Sequence, residues 1–123
     1  MSWTVGIDLI KPWLDNQDLA TIAHIEAAIS ELEKEGPRLG RPLVDRIKGS
    51  SVHHMKELRP ASPGKSEIRI LFAFDPERQA IMLFAGDKSS GKRDREKWNG
   101  WYKTAIPRAE KLCFEHLKEG GWA

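Results

Sequence analysis

The sequence predicts an α+β protein, with helices laid against a twisted antiparallel sheet. Three observations lead there: a capped amphipathic helix near the N-terminus, a later run of β-branched and aromatic segments joined by tight turns, and a closing helix. Trp3-Thr4-Val5-Gly6-Ile7 reads as a short first strand, ended by Lys11-Pro12. Asp18 can cap a helix running to about Glu35, with Leu19, Ile22, Ile25, Ile29 and Leu32 at helical spacing. Gly36-Pro37 stops it, and Leu39-Gly40-Arg41-Pro42 leads into a short turn of helix from Leu43 to Ile47. Val52 to Arg59 is a candidate strand closed by Pro60, and Pro60-Ala61-Ser62-Pro63-Gly64-Lys65 is a loop.

Ile68 to Phe74 is the clearest strand, Asp75-Pro76-Glu77-Arg78 a turn with proline second, and Ala80 to Ala85 the antiparallel return. Gly86 to Lys97 reads as an exposed basic loop. Trp98 to Leu117 reads as the closing helix, with Pro107 marking a kink or a new first turn. In this plan the N-terminal strand and helices pack on one sheet face, and the other face is left polar.

The chain of 123 residues suits one domain with one modest core. With 40% hydrophobic and 31% charged residues it reads as an ordinary folded protein. It has no run long enough to span a bilayer and no signal-peptide pattern at Met1-Ser2-Trp3-Thr4. Its one cysteine, Cys113, sits among helical apolar neighbours and reads as a buried structural thiol, which makes the expected location cytoplasmic. The net charge of +2 is unevenly spread: residues 1–45 balance at −4, residues 46–103 at +6, and the remainder at zero. A basic central stretch suits a phosphate backbone, or equally a solvated lysine-rich surface.

Strand alternation puts Ile68, Ile70, Phe72 and Phe74 on one face and Arg69, Leu71 and Ala73 on the other. If Leu58 faces the core, Glu57 and Arg59 join Arg69 on the open face. Met55 then points the wrong way, a conflict that a bulge near Lys56 would resolve. The two arginines could pair with Glu57 across strands. They could instead form an anion site, since a guanidinium fork matches phosphate oxygens. Lys88, Lys92, Arg93 and Arg95 would rim it. Four histidines without carboxylates at ligand spacing fit no zinc pattern, and Ser89-Ser90-Gly91-Lys92 is too short for a nucleotide phosphate loop, so neither metal nor cofactor is expected. Trp98 and Trp101, three apart on a helix, could be core or could stack bases.

Taken in order, Leu39-Gly40-Arg41-Pro42-Leu43-Val44, Met55-Lys56-Glu57-Leu58-Arg59, Arg69-Ile70-Leu71-Phe72-Ala73-Phe74-Asp75 and Gly86-Asp87-Lys88 resemble the phage-derived, HigB-like branch of the RelE/ParE toxin superfamily. Trp98, Trp101-Tyr102, Ile106-Pro107 and Ala109 extend the similarity into the last helix. The resemblance implies that residues 1–123 form one RelE-like toxin domain. It also implies neutralisation by an antitoxin that carries a helix-turn-helix domain, and metal-independent cleavage of messenger RNA, typically on the ribosome. Arg59 and Arg69 match the family's recurrent sheet arginines, and Lys88 the lysine after the last hairpin strand. Compact members also use an arginine and a tyrosine near the C-terminus. This chain departs from them by continuing through a basic loop into a long helix, where Tyr102 is the candidate counterpart.

In such a reaction the 2′-hydroxyl attacks the adjacent phosphorus and expels the 5′-oxygen. Arg59 and Arg69 would stabilise the phosphorane, and Lys88 would hold the phosphate or assist proton transfer. Glu57 or His54 is the candidate base; His53 and His54 are adjacent, so at most one serves the site. Lys56, Lys92, Arg93, Arg95 and Tyr102 are candidate RNA contacts. The reading needs both guanidinium groups on one side of the sheet and not both locked to internal carboxylates. Two alternatives are a ParE-like protein that binds DNA gyrase without catalysis, and an inactive prophage remnant.

Overall fold

The computed structural model describes residues 2–52, 54–62, 64, 66–89 and 94–122, with the backbone alone over 94–99. Its elements are β1 (Thr4–Gly6), a 3₁₀ turn at Asp8–Ile10, α1 (Lys11–Leu14), α2 (Leu19–Glu35), a second 3₁₀ turn at Gly36–Arg38, β2 (Val44–Arg46), β3 (Lys56–Leu58), β4 (Ile68–Phe74), β5 (Gln79–Asp87) and α3 (Asp94–Glu119). Asp18 caps α2 as expected, accepting the Thr21 N–H at 2.7 Å. Such a cap contributes roughly 0.5–2 kcal/mol. The buried stripe is Thr21, Ile25, Ala28 and Leu32. Leu19, in the first turn, is not in it and stays 85% exposed. The helix stops at Gly36, whose φ of 56° and close approach to the Trp3 indole leave no room for a side chain.

The sheet runs in the order β1-β5-β4-β3-β2. Every pairing is antiparallel except that of β1 with β5, which is parallel and makes the sheet mixed at one edge. Two local expectations change. Residues 44–46 form an edge strand against β3 rather than a turn of helix, because pairing with Lys56–Leu58 outweighs the weak local preference of so short a segment. The strand expected over Val52–Arg59 shrinks to Lys56–Leu58. Glu110 of α3 accepts hydrogen bonds from Ser50 Oγ (2.9 Å), Ser51 N (2.5 Å) and Ser51 Oγ (2.9 Å), folding the chain before β3 into a bend.

The largest correction concerns the face expected to lie open. One face packs Ile68, Ile70, Phe72, Leu58, Ala80 and Met82 against Ile25, Ala28 and Leu32 of α2. The opposite face carries Met55, Leu71, Ala73, Ile81 and Leu83, and α3 covers them with Ala105, Ala109 and Cys113. Ile70, Leu71, Phe72 and Ala73 are consecutively buried, the mark of a strand packed on both sides. The conflict between Met55 and Leu58 disappears because each has a core of its own.

The irregularity falls on β5 instead. Leu71 pairs with Phe84 but Phe72 pairs with Met82, so Leu83 is an extra residue. Leu83 and Phe84 both belong to the α3 side, and the alternation is inverted beyond them. Gly86, which would otherwise face α2, lies under Trp101 of α3. Lys88 follows it onto the same side, 5.7 Å from the Tyr102 ring. A Cβ at Gly86 would sit 2.6 Å from Trp101 Nε1. Gly86→Ala is therefore expected to lower stability by about 1–3 kcal/mol as α3 is pushed off the sheet. A chemical denaturation midpoint unchanged from wild type would contradict this packing.

Candidate active site

Glu57 is the centre of a polar cluster under the N-terminal half of α3. Its position on β3 turns it to the α3 face, where it is 1% exposed. Oε1 accepts from Arg59 Nε at 2.7 Å and lies 3.6 Å from Arg69 Nε. Oε2 accepts from the Tyr102 hydroxyl. Leu58 pairs with Ile70, and continuing that register by one residue sets Arg59 across from Arg69. The two guanidinium groups thus gather on one side of the sheet. Arg59 is held by carboxylates, adding Asp45 at 3.2 Å to Glu57. Arg69 donates through Nη1 to the Ile68 carbonyl at 2.8 Å, and its buried Nε has no hydrogen-bond acceptor among the described residues. Lys88 completes the cluster, buried rather than on the exposed rim that the sequence suggested. Asp87 fixes the turn that carries it, accepting from Glu67 N, Ser89 N and Ser89 Oγ.

One central carboxylate therefore serves three cations, and their protonation follows. Burial, then the charge of Arg69, push the Lys88 ammonium down to about 8, although Glu57 and Glu67 pull the other way. Burial works against charge on Arg59, but the Glu57 hydrogen bond and the neighbouring carboxylates hold it above its ordinary value. Burial and the Glu57 carboxylate push the Tyr102 phenol well above its usual range, so it stays a donor.

The cluster opens on a groove of about 500 Å³ between β2, β3 and α3. Arg41, Asp45, Ile47, Lys48, Glu57, Arg59, Tyr102 and Ile106 are among the residues that line it. Arg59 reaches it directly; Arg69 and Lys88 stand behind. Arg41 pairs with Asp45 at 3.1 Å, and this hydrogen bond leads the effects that hold Asp45 below its usual carboxylate value. Arg41 and Lys48 were not among the sequence candidates, because residues 44–46 read as helix and no strand edge was expected there.

The other candidates lie elsewhere. Lys56 is on the opposite face of β3, 5.5 Å from the Phe74 ring and 3.4 Å from the Pro37 carbonyl oxygen. His54 is exposed on the turn before β3, outside the groove lining. His53, Lys92 and Arg93, and the side chains of Arg95 and Trp98, lie outside the described residues. Trp101 packs edge-on to Tyr102 at 5.0 Å and beside Phe84 at 6.0 Å, so it is a core residue. Cys113 is free and buried, as expected. No helix among the described residues is long and apolar enough to cross a membrane. No group of three or more His, Cys, Asp or Glu among them could hold a metal ion.

A twisted sheet with a C-terminal helix laid over a cationic cluster makes this a mixed α+β protein of the RelE-like type. The chain belongs to the phage-derived Gp49-like family (DUF891), whose family model matches residues 12–113. It is 49% identical over 119 residues to a Mycobacterium tuberculosis (strain ATCC 25618 / H37Rv) protein named "Putative toxin HigB2", covering 97% of this chain and 56% of that protein. It is 46% identical over 112 residues to "Putative toxin HigB3" of the same strain, covering 87% of this chain and 90% of that one. The chain thus spans a little over half the length of the first relative and nearly all of the second.

Proposed function

We propose that this protein is the toxin of a type II toxin–antitoxin module and that it cleaves messenger RNA, acting in the cytoplasm on translating ribosomes. The toxin names of two relatives at 46% and 49% identity support the class. The observation that carries the chemistry is the convergence of Arg59, Arg69 and Lys88 on one buried carboxylate at the head of a basic groove. In this reading the RNA backbone lies along the groove, and Arg59 meets the scissile phosphate. The attacking group is the substrate's own 2′-hydroxyl, so the protein's main task is to stabilise the charge that builds on the phosphorane. Arg69 and Lys88 add fixed positive charge from a poorly solvated position, where it acts more strongly than in water. A helix-turn-helix antitoxin would neutralise the toxin in the cell.

Expression in a bacterial host, followed by mapping of transcript 5′ ends, tests the class of activity. New cuts within translated messages are expected. Intact transcripts with trapped gyrase–DNA breaks would favour a gyrase inhibitor, and harmless expression an inactive remnant. The groove gives a separate prediction. Lys48 is exposed beside it, so Lys48→Glu should leave the fold intact and weaken RNA binding roughly uniformly across sequences, with a smaller salt slope. Unchanged binding at two salt concentrations would remove the groove from the account.

A further inference from the structure

We propose that Glu57 is the positioning residue of the cationic cluster, with Tyr102 fixing its carboxylate from α3. This inference rests on the nuclease reading but assigns Glu57 a role other than general base. A base has to reach the proton it removes. Glu57 is 1% exposed. Oε1 faces the guanidinium groups of Arg59 and Arg69, and Oε2 takes the Tyr102 hydroxyl. At that burial the carboxylate, although it borders the groove, presents almost no surface to a ligand there. The carboxylate instead ties β3, β4 and α3 together at the point where charge is concentrated.

The geometry gives each partner a defined part. The short contact of the carboxylate with Arg59 Nε, 2.7 Å, fixes the direction in which that guanidinium projects toward the groove. Tyr102 prevents the carboxylate from rotating. Its own position is set by the edge-on packing of Trp101, which lies against Gly86. The Tyr102 ring also flanks Lys88. The inverted alternation of β5, the seat of α3 and the aim of Arg59 are thus one mechanical unit. A small tilt of α3 would reach the reacting phosphate through Tyr102 and Glu57.

The test uses two variants, Glu57→Gln and Tyr102→Phe. They are measured for cleavage of a defined message in a reconstituted translation system across acidic, neutral and alkaline pH. In parallel, the arginine Nε–H resonances of the free protein are recorded. Positioning predicts that Tyr102→Phe lowers kcat about tenfold and Glu57→Gln on the order of 10²-fold, each with KM nearly unchanged. The Nε–H signals of Arg59 and Arg69 should shift in both variants. The alkaline limb of the rate profile should move to lower pH in Glu57→Gln, because Glu57 supports the charge on Lys88, and stay in place in Tyr102→Phe.

A general base would behave differently. Glu57→Gln would then remove the acidic limb, and Tyr102→Phe would be as fast as wild type or faster; that pattern overturns the proposal. Arginine signals unmoved by either change overturn it too, whatever the activity. If wild type cleaves no RNA while both variants move those signals, the positioning role stands and the nuclease reading falls. Should Glu57→Gln fail to fold, Tyr102→Phe, which removes a single hydroxyl, decides the matter.

Discussion

Arg69→Ala is expected to abolish toxicity and to lower the cleavage rate by about 10²–10³-fold, a loss of the size seen when one preorganised electrostatic stabiliser of the transition state is removed. The fold should tolerate the change better than burial alone suggests. Arg69 has a 14% exposed side chain, yet its Nε already lacks an acceptor, so truncation removes an unsatisfied buried donor along with the hydrogen bond to Ile68. Glu57 keeps Arg59 and Tyr102 as partners. A variant that melts close to wild type but no longer arrests growth is the expected outcome. A variant that is insoluble, or that melts far lower with activity retained in its folded fraction, would make Arg69 a structural residue.

Lys88→Met has the second large effect, and stability and activity should move in opposite directions. Burial and Arg69 hold the Lys88 ammonium near 8 in the folded protein, below the roughly 10.4 of an unfolded chain. Below about 8 it is charged in both states, and the folded state bears the desolvation. As pH rises from about 8 to about 10.4 the unfolded chain binds the extra proton, so the wild type gains stability across that window and loses the gain when pH falls again. Lys88→Met should therefore be more stable than wild type at neutral pH, and the difference should shrink on going alkaline. Cleavage, if it uses the charged form, should fall in wild type as pH rises through about 8, and that dependence should be missing from the much slower variant. Thermal melts and single-turnover rates over the same pH series check both. A variant less stable than wild type at neutral pH would contradict the assigned environment.

These effects follow from a site of which the sequence disclosed half. Helix α2 was legible because a cap, a 3.6-residue stripe and a Gly-Pro stop all agree locally. The β4–β5 hairpin was legible from its alternation and its Asp-Pro turn. Arg59, Arg69 and Glu57 could be placed on one face by counting in twos. Alternation alone makes that face read as open surface, although Ile70-Leu71-Phe72-Ala73 carries the unbroken apolar run of a strand covered on both sides. Edge strand β2 was missed because three residues hold it by pairing with β3, an interaction with no local signature.

The extra residue at Leu83 was invisible for a similar reason. Ala80 to Ala85 is apolar on both faces, so nothing in the pattern marks where the alternation slips. That slip brings Lys88 to the cluster. Lys56 lies across the sheet, and strand parity alone separates it from Glu57. Tyr102 entered by family resemblance, and its hydrogen bond to Glu57 joins residues 45 positions apart. No spacing rule reaches that far.

In the proposed reaction the substrate supplies its own nucleophile, and the protein stabilises charge. The ends of the cleaved message report on this directly. Transcripts cut by the wild-type protein on ribosomes should carry a 2′,3′-cyclic phosphate on the upstream fragment and a 5′-hydroxyl on the downstream one. A 3′-hydroxyl facing a 5′-phosphate, the mark of attack by water, would contradict it.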